Sequence, residues 1–403
     1  MAIPRRLLTA LSKELDAYKL FASGSTTNSV LAWLDQVGAV ASSDIPALRD
    51  VSIAAIEESM GMCQADVVSA TLDAWDAATG ANGLARAQAV SESMAGMAHE
   101  YADRKVRWLV GEVVDGRMTP IQFAKACGDM ADRGVNHMHL AAMQAVSDRQ
   151  GGKERWARVP SGSETCPFCI MLAGRGFVYQ SAETAGGHYH VHCDCRVVKG
   201  VKGKTHVEGY DPDAIERRWR ACADTIGLDP ADAFDESGNP TKEILAEVAT
   251  RDPKWLIAGK AIAPKFLERA KPDEYERAVA ESLGRMGLGV TFRPEAPDFS
   301  TRQADSLING QKWEFKNPAG SGRLTIWNQV KKCLYGRYGH TLNMQSSRLV
   351  ISNARSSMTF ESMISDLEKV LAREEGFEIA DLEKMDEILI LDVKTQRIRR
   401  FRT

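Results

Sequence analysis

The chain has 403 residues, 44% of them hydrophobic and 26% charged, with a formal net charge of −3. This is ordinary globular composition, long enough for two or three domains. It excludes a disordered, collagen-like or disulfide-dense protein. No stretch approaches the roughly 20 apolar residues needed to span a bilayer.

Residues 1–155 read as a helical body. Ala, Met, Leu and charged residues dominate, and Pro is scarce. The spacing predicts helices near 5–21, 44–79, 83–115 and 133–149. Thr119-Pro120 is a further helix start, because Thr can cap free amides and Pro suits the first helical position. Phe123, Cys127 and Met130 follow at helical intervals. His99, His137 and His139 read as packing or surface residues. The N-terminal apolar run is broken by Ser12, Lys13, Glu14 and Asp16, unlike a signal peptide.

Residues 156–200 hold four of the eight cysteines. Cys166 and Cys169 stand two residues apart. His190, His192, Cys193 and Cys195 follow after a glycine-rich loop. Paired short spacings separated by a loop supply the tetrahedral donors that zinc favours. The expected set is Cys166, Cys169, His190 and Cys195, with His192 or Cys193 as substitutes and His188 outside. Multi-cysteine sites are mostly closed, so a structural Zn²⁺ is expected rather than a catalytic one. A zinc deaminase is excluded, because no H-x-E precedes the pair and the first cysteine lacks its proline. The four other cysteines are scattered and build no disulfide framework.

Residues 201–261 read as a linker, with Asp-Pro turns at 211, 229 and 252 and short helices near 213–226 and 241–250. From 262 the pattern is mixed: helix, three strands, helix, strand, helix, two strands. The expected fold class is therefore an all-α body with a Cys/His zinc module, followed by an α/β domain whose mixed or antiparallel sheet has flanking helices. Asn309-Gly310 is the strongest two-residue hairpin signal. It pairs Ile308 with Gln311, Leu307 with Lys312 and Ser306 with Trp313. Asp305, Glu314 and Lys316 then share one face, and Ser306, Ile308, Trp313 and Phe315 the other. Opposed carboxylates are an electrostatic cost that a divalent cation, a shared proton or a substrate removes. The spacing D-x8-E-x-K, after a helix bearing Glu281 and before a helix and strand, is that of PD-(D/E)-x-K nucleases. There, Asp305 and Glu314 would hold Mg²⁺ and Lys316 would stabilise transition-state charge. Arg323, Lys331, Lys332, Trp327 and His340 are weaker nucleic-acid candidates, and the last residues, KTQRIRRFRT, form a basic patch.

Two family resemblances follow from these motifs. SGSETCPFCIMLAGRGFVY with HYHVHCDC resembles the C-terminal part of MuF-type phage head-morphogenesis proteins, over roughly residues 90–200. That resemblance implies a minor capsid protein of the virion, assembled in the host cytoplasm beside portal and capsid proteins. ADSLINGQKWEFKNP, TIWNQVKKC and QSSRLVISN resemble the tRNA-nuclease toxin domain of contact-dependent growth-inhibition (CdiA) proteins, over roughly 265–403. It implies an endoribonuclease at 262–403 with Asp305, Glu314, Lys316, Thr325 and Gln345 as site residues, RNA (above all tRNA) as substrate, and an immunity protein as partner. RNA carries its own 2′-OH nucleophile, so Glu314 as base and Lys316 on the phosphate can act without a metal. The two nuclease readings use the same residues. The rival reading is a purely structural head protein with an inactive tail.

Overall fold

The computed structural model describes residues 1–147, 154–162, 165–187, 189–190, 193–294, 304, 306–336 and 341–402. The chain divides into two compact units, Met1–Asp213 and Ala214–Thr403.

The first unit is built on long helices: α1 (Arg5–Val37), α2 (Ile45–Thr79), α3 (Ala87–Ser93), α4 (Met97–Val114) and α5 (Pro120–Ser147). Leu15, Val30, Leu48, Ile56, Phe123 and Met130 sit in one shared core. Three expected boundaries shift. The helix expected near 5–21 runs on to Val37 as α1. The segment read as one helix over 83–115 breaks at Gly96, whose φ of 83° belongs to the left-handed region. The start at Thr119 leads straight into the segment at 133–149, giving the single helix α5. Its cap is reciprocal: the Gln122 amide N–H donates to Thr119 Oγ1 (3.2 Å), and the Thr119 N–H donates to Gln122 Oε1 (2.9 Å).

A small module completes this unit. Strand β1 (Ala2–Ile3) pairs in parallel with β4 (His206–Val207), and β2 (Arg155–Pro160) pairs antiparallel with β3 (Cys195–Gly200). Two short helices, α6 (Pro167–Ala173) and α7 (Ala182–Gly186), lie between β2 and β3 in the chain. The module is tied to α1 through buried polar contacts. Ser12 and Ser161 hydroxyls are 2.6 Å apart, and Lys19 Nζ donates to the Cys193 carbonyl at 2.6 Å.

Helix α8 (Pro212–Ile226) crosses the unit boundary, and α9 (Lys242–Val248) and α10 (Pro253–Ala258) follow. Residues read as linker are thus ordered: Ile244, Val248 and Leu256 have no exposed surface. Next come β5 (Lys265–Phe266), α11 (Glu274–Arg285), β6 (Val290–Phe292), β7 (Ser306–Ile308), β8 (Gln311–Lys316), α12 (Thr325–Tyr335), β9 (Arg348–Ser352), α13 (Phe360–Leu371), β10 (Glu387–Asp392) and β11 (Arg397–Arg402). The expected element order holds, with β5 added ahead of it.

One mixed sheet runs β11-β10-β9-β8-β7-β6-β5. The β6-β7-β8 meander is antiparallel, and α12 then crosses over so that β9 lies parallel to β8. The hairpin register is as expected, Ser306↔Trp313, Leu307↔Lys312 and Ile308↔Gln311. Both turn residues are left-handed, at φ 51° for Asn309 and 81° for Gly310. Period-two alternation then sorts the sheet. Trp313, Phe315, Val350 and Leu389 pack with α11 residues Val279 and Leu283. Leu349, Ile351, Ile388 and Ile390 pack with α12 and α13 residues Ile326, Val330, Met363 and Leu367. The face bearing Glu314 was expected to be solvated. It is instead covered by the second of these cores, because two helices distant in sequence supply the apolar partner.

Candidate metal centre and carboxylate site

The module gathers sulfur and imidazole donors at the base of α6. Cys166 is the N-cap of this helix and accepts the Cys169 amide N–H, so the two cysteines share one turn. Cys166 Sγ lies 2.8 Å from His190 Nε2, Cys169 Sγ lies 3.4 Å from the same nitrogen, and Cys169 Sγ lies 3.4 Å from Cys193 Sγ. Two overlapping triads result, Cys166–Cys169–His190 and Cys169–Cys193–Cys195, with donor atoms within 4.8 Å of one another in each. Cys169 belongs to both. Cys193 also contacts the His190 ring, whereas the contacts of Cys195 run to Cys169 and Cys193. Of the expected set, Cys166, Cys169, His190 and Cys195 therefore all come to one place, and Cys193 joins them. His188 and His192 lie outside the described residues. The free thiols show no disulfide among them.

The electrostatics split the four sulfurs, lowering Cys166 and Cys193 and raising Cys195 and Cys169, the last through its hydrogen bonds to Cys166 and Cys193. The hydrogen bond shared with Cys169, then that with His190, brings the Cys166 thiol down to about 5. Contact with Cys169 and Cys195 likewise lowers Cys193. Burial raises Cys195 well above the thiol range. Three cations surround the cluster at depth: Lys19 is 3% exposed, and Arg158 and Arg196 are fully buried. Burial works against the charge on Arg158, yet the sulfurs of Cys169 and Cys195 keep its pKa raised. These cations were not singled out in the sequence, and Cys193 was expected there only as a substitute ligand. Arg158 sits in an ordinary-looking strand, RWARVP, and nothing local marks it.

The second constellation lies on β8. Glu314 is 1% exposed, although it sits level with Leu349 on an apolar sheet face. It forms an ion pair with Lys316, two residues on and on the same face. Lys316 Nζ also donates to Gln345 Oε1 at 3.3 Å. The Gln345-Ser346 pair is held in place from both sides: the Gln345 amide N–H donates to the Cys333 carbonyl (3.3 Å), and Ser346 Oγ donates to the Lys312 carbonyl (2.8 Å). Glu314, Lys316 and Gln345 thus meet.

The remaining expected residues fall elsewhere. Thr325 opens α12 as its first helical residue, with Leu324 at the cap position. Glu281 is more than half exposed on α11 and pairs with Arg285 at 3.5 Å, so it faces solvent. Asp305 and His340 lie outside the described residues. Trp327 Nε1 donates to the Glu378 carbonyl, and Lys331 stacks on its ring, which uses both groups within the fold.

A family model described as VG15 protein matches residues 11–222, more than half of the chain. The chain belongs to the VG15 protein family. The matched residues contain the helical body and every described member of the cysteine cluster, and they stop short of the mixed sheet. The Gene 15 protein of Mycobacterium phage D29 is 29% identical over 112 residues, which make up 26% of this chain and 36% of that protein. The chain therefore spans about a third of that relative's length. No solved structure matches. The family and this relative make the chain phage-related. Among the described residues, no helix is long and apolar enough to cross a membrane.

Proposed function

We propose that this VG15 protein is a phage head-morphogenesis component whose second unit is a polynucleotide-cleaving enzyme, in the first instance an endoribonuclease acting on tRNA. The observation that carries the enzyme reading is the buried Glu314–Lys316–Gln345 cluster. Neighbouring positions on that sheet face are Leu and Ile. A carboxylate there costs several kcal/mol of desolvation, on the order expected for any buried ion. A residue kept at such a cost, beside a cation and an amide, suits a site that handles charge.

In RNA cleavage, Glu314 takes the proton of the 2′-OH, whose oxygen bonds to phosphorus as the P–O5′ bond breaks and the leaving 5′-oxygen takes up a proton from water. Lys316 stabilises the charge that builds on the phosphate, and Gln345 fixes the lysine head group. The full chain incubated with total tRNA tests this. Cleavage is expected, with a loss of at least ~100-fold in Glu314→Gln, the scale of a general base. An unchanged rate in that variant sinks the reading and leaves the purely structural head protein.

One observation favours a second reading, the metal-dependent DNase. The β6-β7-β8 meander followed by the α12 crossover to β9 presents E-x-K on a central strand. The oxygen donors here suit a hard divalent cation. Glu314, with the acid at 305, would hold Mg²⁺, which supplies an activated water and phosphate polarisation. Plasmid cleavage that EDTA abolishes selects this reading; tRNA cleavage that survives EDTA selects the first.

For the module, we read the sulfur–imidazole cluster as a structural zinc site, since its donors are soft, buried and mutually close. Portal and capsid proteins as partners, an immunity protein, and virion localisation belong to the same reading.

A further inference from the structure

We propose that the module holds a single divalent metal through Cys166, Cys169, His190 and Cys193, that Arg158 is the built-in counter-charge of this centre, and that Cys195 stands behind it without ligating. The inference rests on the zinc reading above and goes beyond it in metal count, ligand set and the role of the arginine.

The argument begins with Arg158. Its side chain is fully buried. Its Nη1 reaches Cys169 Sγ at 3.8 Å, while Nε and Nη2 have no hydrogen-bond partner among the described residues. Its guanidinium carbon lies 5.0 Å from the centre of the Tyr189 ring. A buried guanidinium demands negative charge nearby, and none of the ion pairs among the described residues gives Arg158 a carboxylate. The sulfurs are what remains.

The charge arithmetic then discriminates between compositions. One divalent ion with three thiolates and one neutral imidazole carries −1, which one guanidinium neutralises. Two thiolates would leave a neutral centre and an uncompensated arginine. Two divalent ions shared over the four cysteines would make the cluster neutral at best, again stranding Arg158. The other buried cations are already engaged. Lys19 pairs with Asp16 at 2.8 Å and donates to the Cys193 carbonyl. Arg196 pairs with Asp16 at 3.6 Å and donates to the Cys195 carbonyl (2.9 Å) and to Asn136 Oδ1 (3.3 Å).

Geometry selects which three thiolates. A tetrahedron with metal–sulfur bonds of ~2.3 Å has edges of ~3.7 Å. Three of those edges are already short, Cys166 Sγ–His190 Nε2 at 2.8 Å, Cys169 Sγ–His190 Nε2 at 3.4 Å and Cys169 Sγ–Cys193 Sγ at 3.4 Å, and Cys193 also contacts the His190 ring, so all three sulfurs gather about one imidazole. Cys195, the first residue of β3, groups with Cys169 and Cys193 and stands outside the triad that holds Cys166 and His190. There it can donate a weak S–H hydrogen bond to metal-bound sulfur.

The test uses the purified full chain, with zinc content measured by mass spectrometry and Co²⁺ as a spectroscopic probe. The expected wild-type result is one ion per chain, with sulfur-to-cobalt charge-transfer absorption. Cys193→Ser is expected to weaken Co²⁺ binding by more than ~100-fold, while Cys195→Ser keeps both stoichiometry and spectrum. Arg158→Met is expected to weaken binding by ~10–100-fold, the range for outer-shell partners of a metal site. Arg158→Lys, which keeps the charge, is expected to retain most of the affinity and guards against a mere folding defect. Two ions per chain, loss of binding in Cys195→Ser with retention in Cys193→Ser, or full affinity in Arg158→Met would each overturn the proposal while leaving a metal site in place. A wild-type chain that binds no metal refutes the zinc reading itself.

Discussion

Glu247 offers a direct probe of how the second unit is held together. Its side chain is fully buried on α9 and bridges two cations, Arg251 at 2.9 Å and Arg400 at 2.8 Å. Arg400, on the edge strand β11, also pairs with Glu387 of β10 at 2.8 Å. Replacing Glu247 by Gln keeps the shape and removes the charge, leaving Arg400 with the half-buried Glu387 and Arg251 with the Thr225 and Thr250 hydroxyls in place of a carboxylate. Breaking a buried pair from one side costs ~3–5 kcal/mol. With a urea slope of ~2 kcal/mol per molar for a domain of this size, the midpoint should fall by ~1.5–2.5 M. Hydrogen exchange of the β11 peptide against urea reads this unit separately from the helical one. A fall of less than ~0.5 M would refute the claim that α9 is fastened to the sheet through this carboxylate, since it would correspond to only ~1 kcal/mol.

Three further outcomes are expected. Glu314→Leu should raise the thermal midpoint of the second unit while abolishing cleavage, because an apolar side chain suits the face shared by Leu349 and Ile351, and Lys316 retains an outlet to solvent; a lowered midpoint contradicts the assignment of a costly functional acid. His139 is fully buried in the first unit, and burial holds its pKa down to about 3. The unfolded chain, with a histidine near the usual ~6.5, takes up the proton first as pH falls, so stability declines below that value by up to ~1.4 kcal/mol per pH unit. Thermal melts at pH 7.5 and 5 should therefore differ by less in His139→Gln than in the wild type. Gly284 lies inside α11, where a Cβ would stand 2.0 Å from the Ile262 carbonyl oxygen. Backbone cannot swing aside as a side chain can, so Gly284→Ala should destabilise by ~1–3 kcal/mol despite its better helix propensity, measured again by urea midpoint.

Local signals carried much of this fold. Asn309-Gly310 fixed the hairpin register because only left-handed residues make that turn tightly, and Thr119-Pro120 marked the start of α5. Long-range burial was less visible. QKWEFK alternates like a half-solvated strand, so Glu314 looked exposed; Ile326, Val330 and Met363, which cover its face, come from helices later in the chain. In residues 201–261 the Asp-Pro turns suggested a tether, while the buried Ile244, Glu247 and Val248 of α9 and Leu256 of α10 did not stand out in such short helices. At the metal centre, cysteine spacing located the donors but put Cys195 ahead of Cys193, the reverse of the proposed ligand order. That order depends on where β3 begins, and on an arginine from β2 whose neighbours in the chain give no hint of it.

Helix α8 has a consequence for how such chains diversify. The family match ends at residue 222 and the first unit at Asp213, both within or beside this one helix. Its buried residue Trp219 lies inside the matched region yet already belongs to the second unit, where it stacks edge-on against Phe234, 5.5 Å away and beyond the match. A genetic exchange that brings in a different tail cannot splice cleanly after the shared region. The incoming segment must arrive with its own complement to that indole, which narrows the set of viable chimeras.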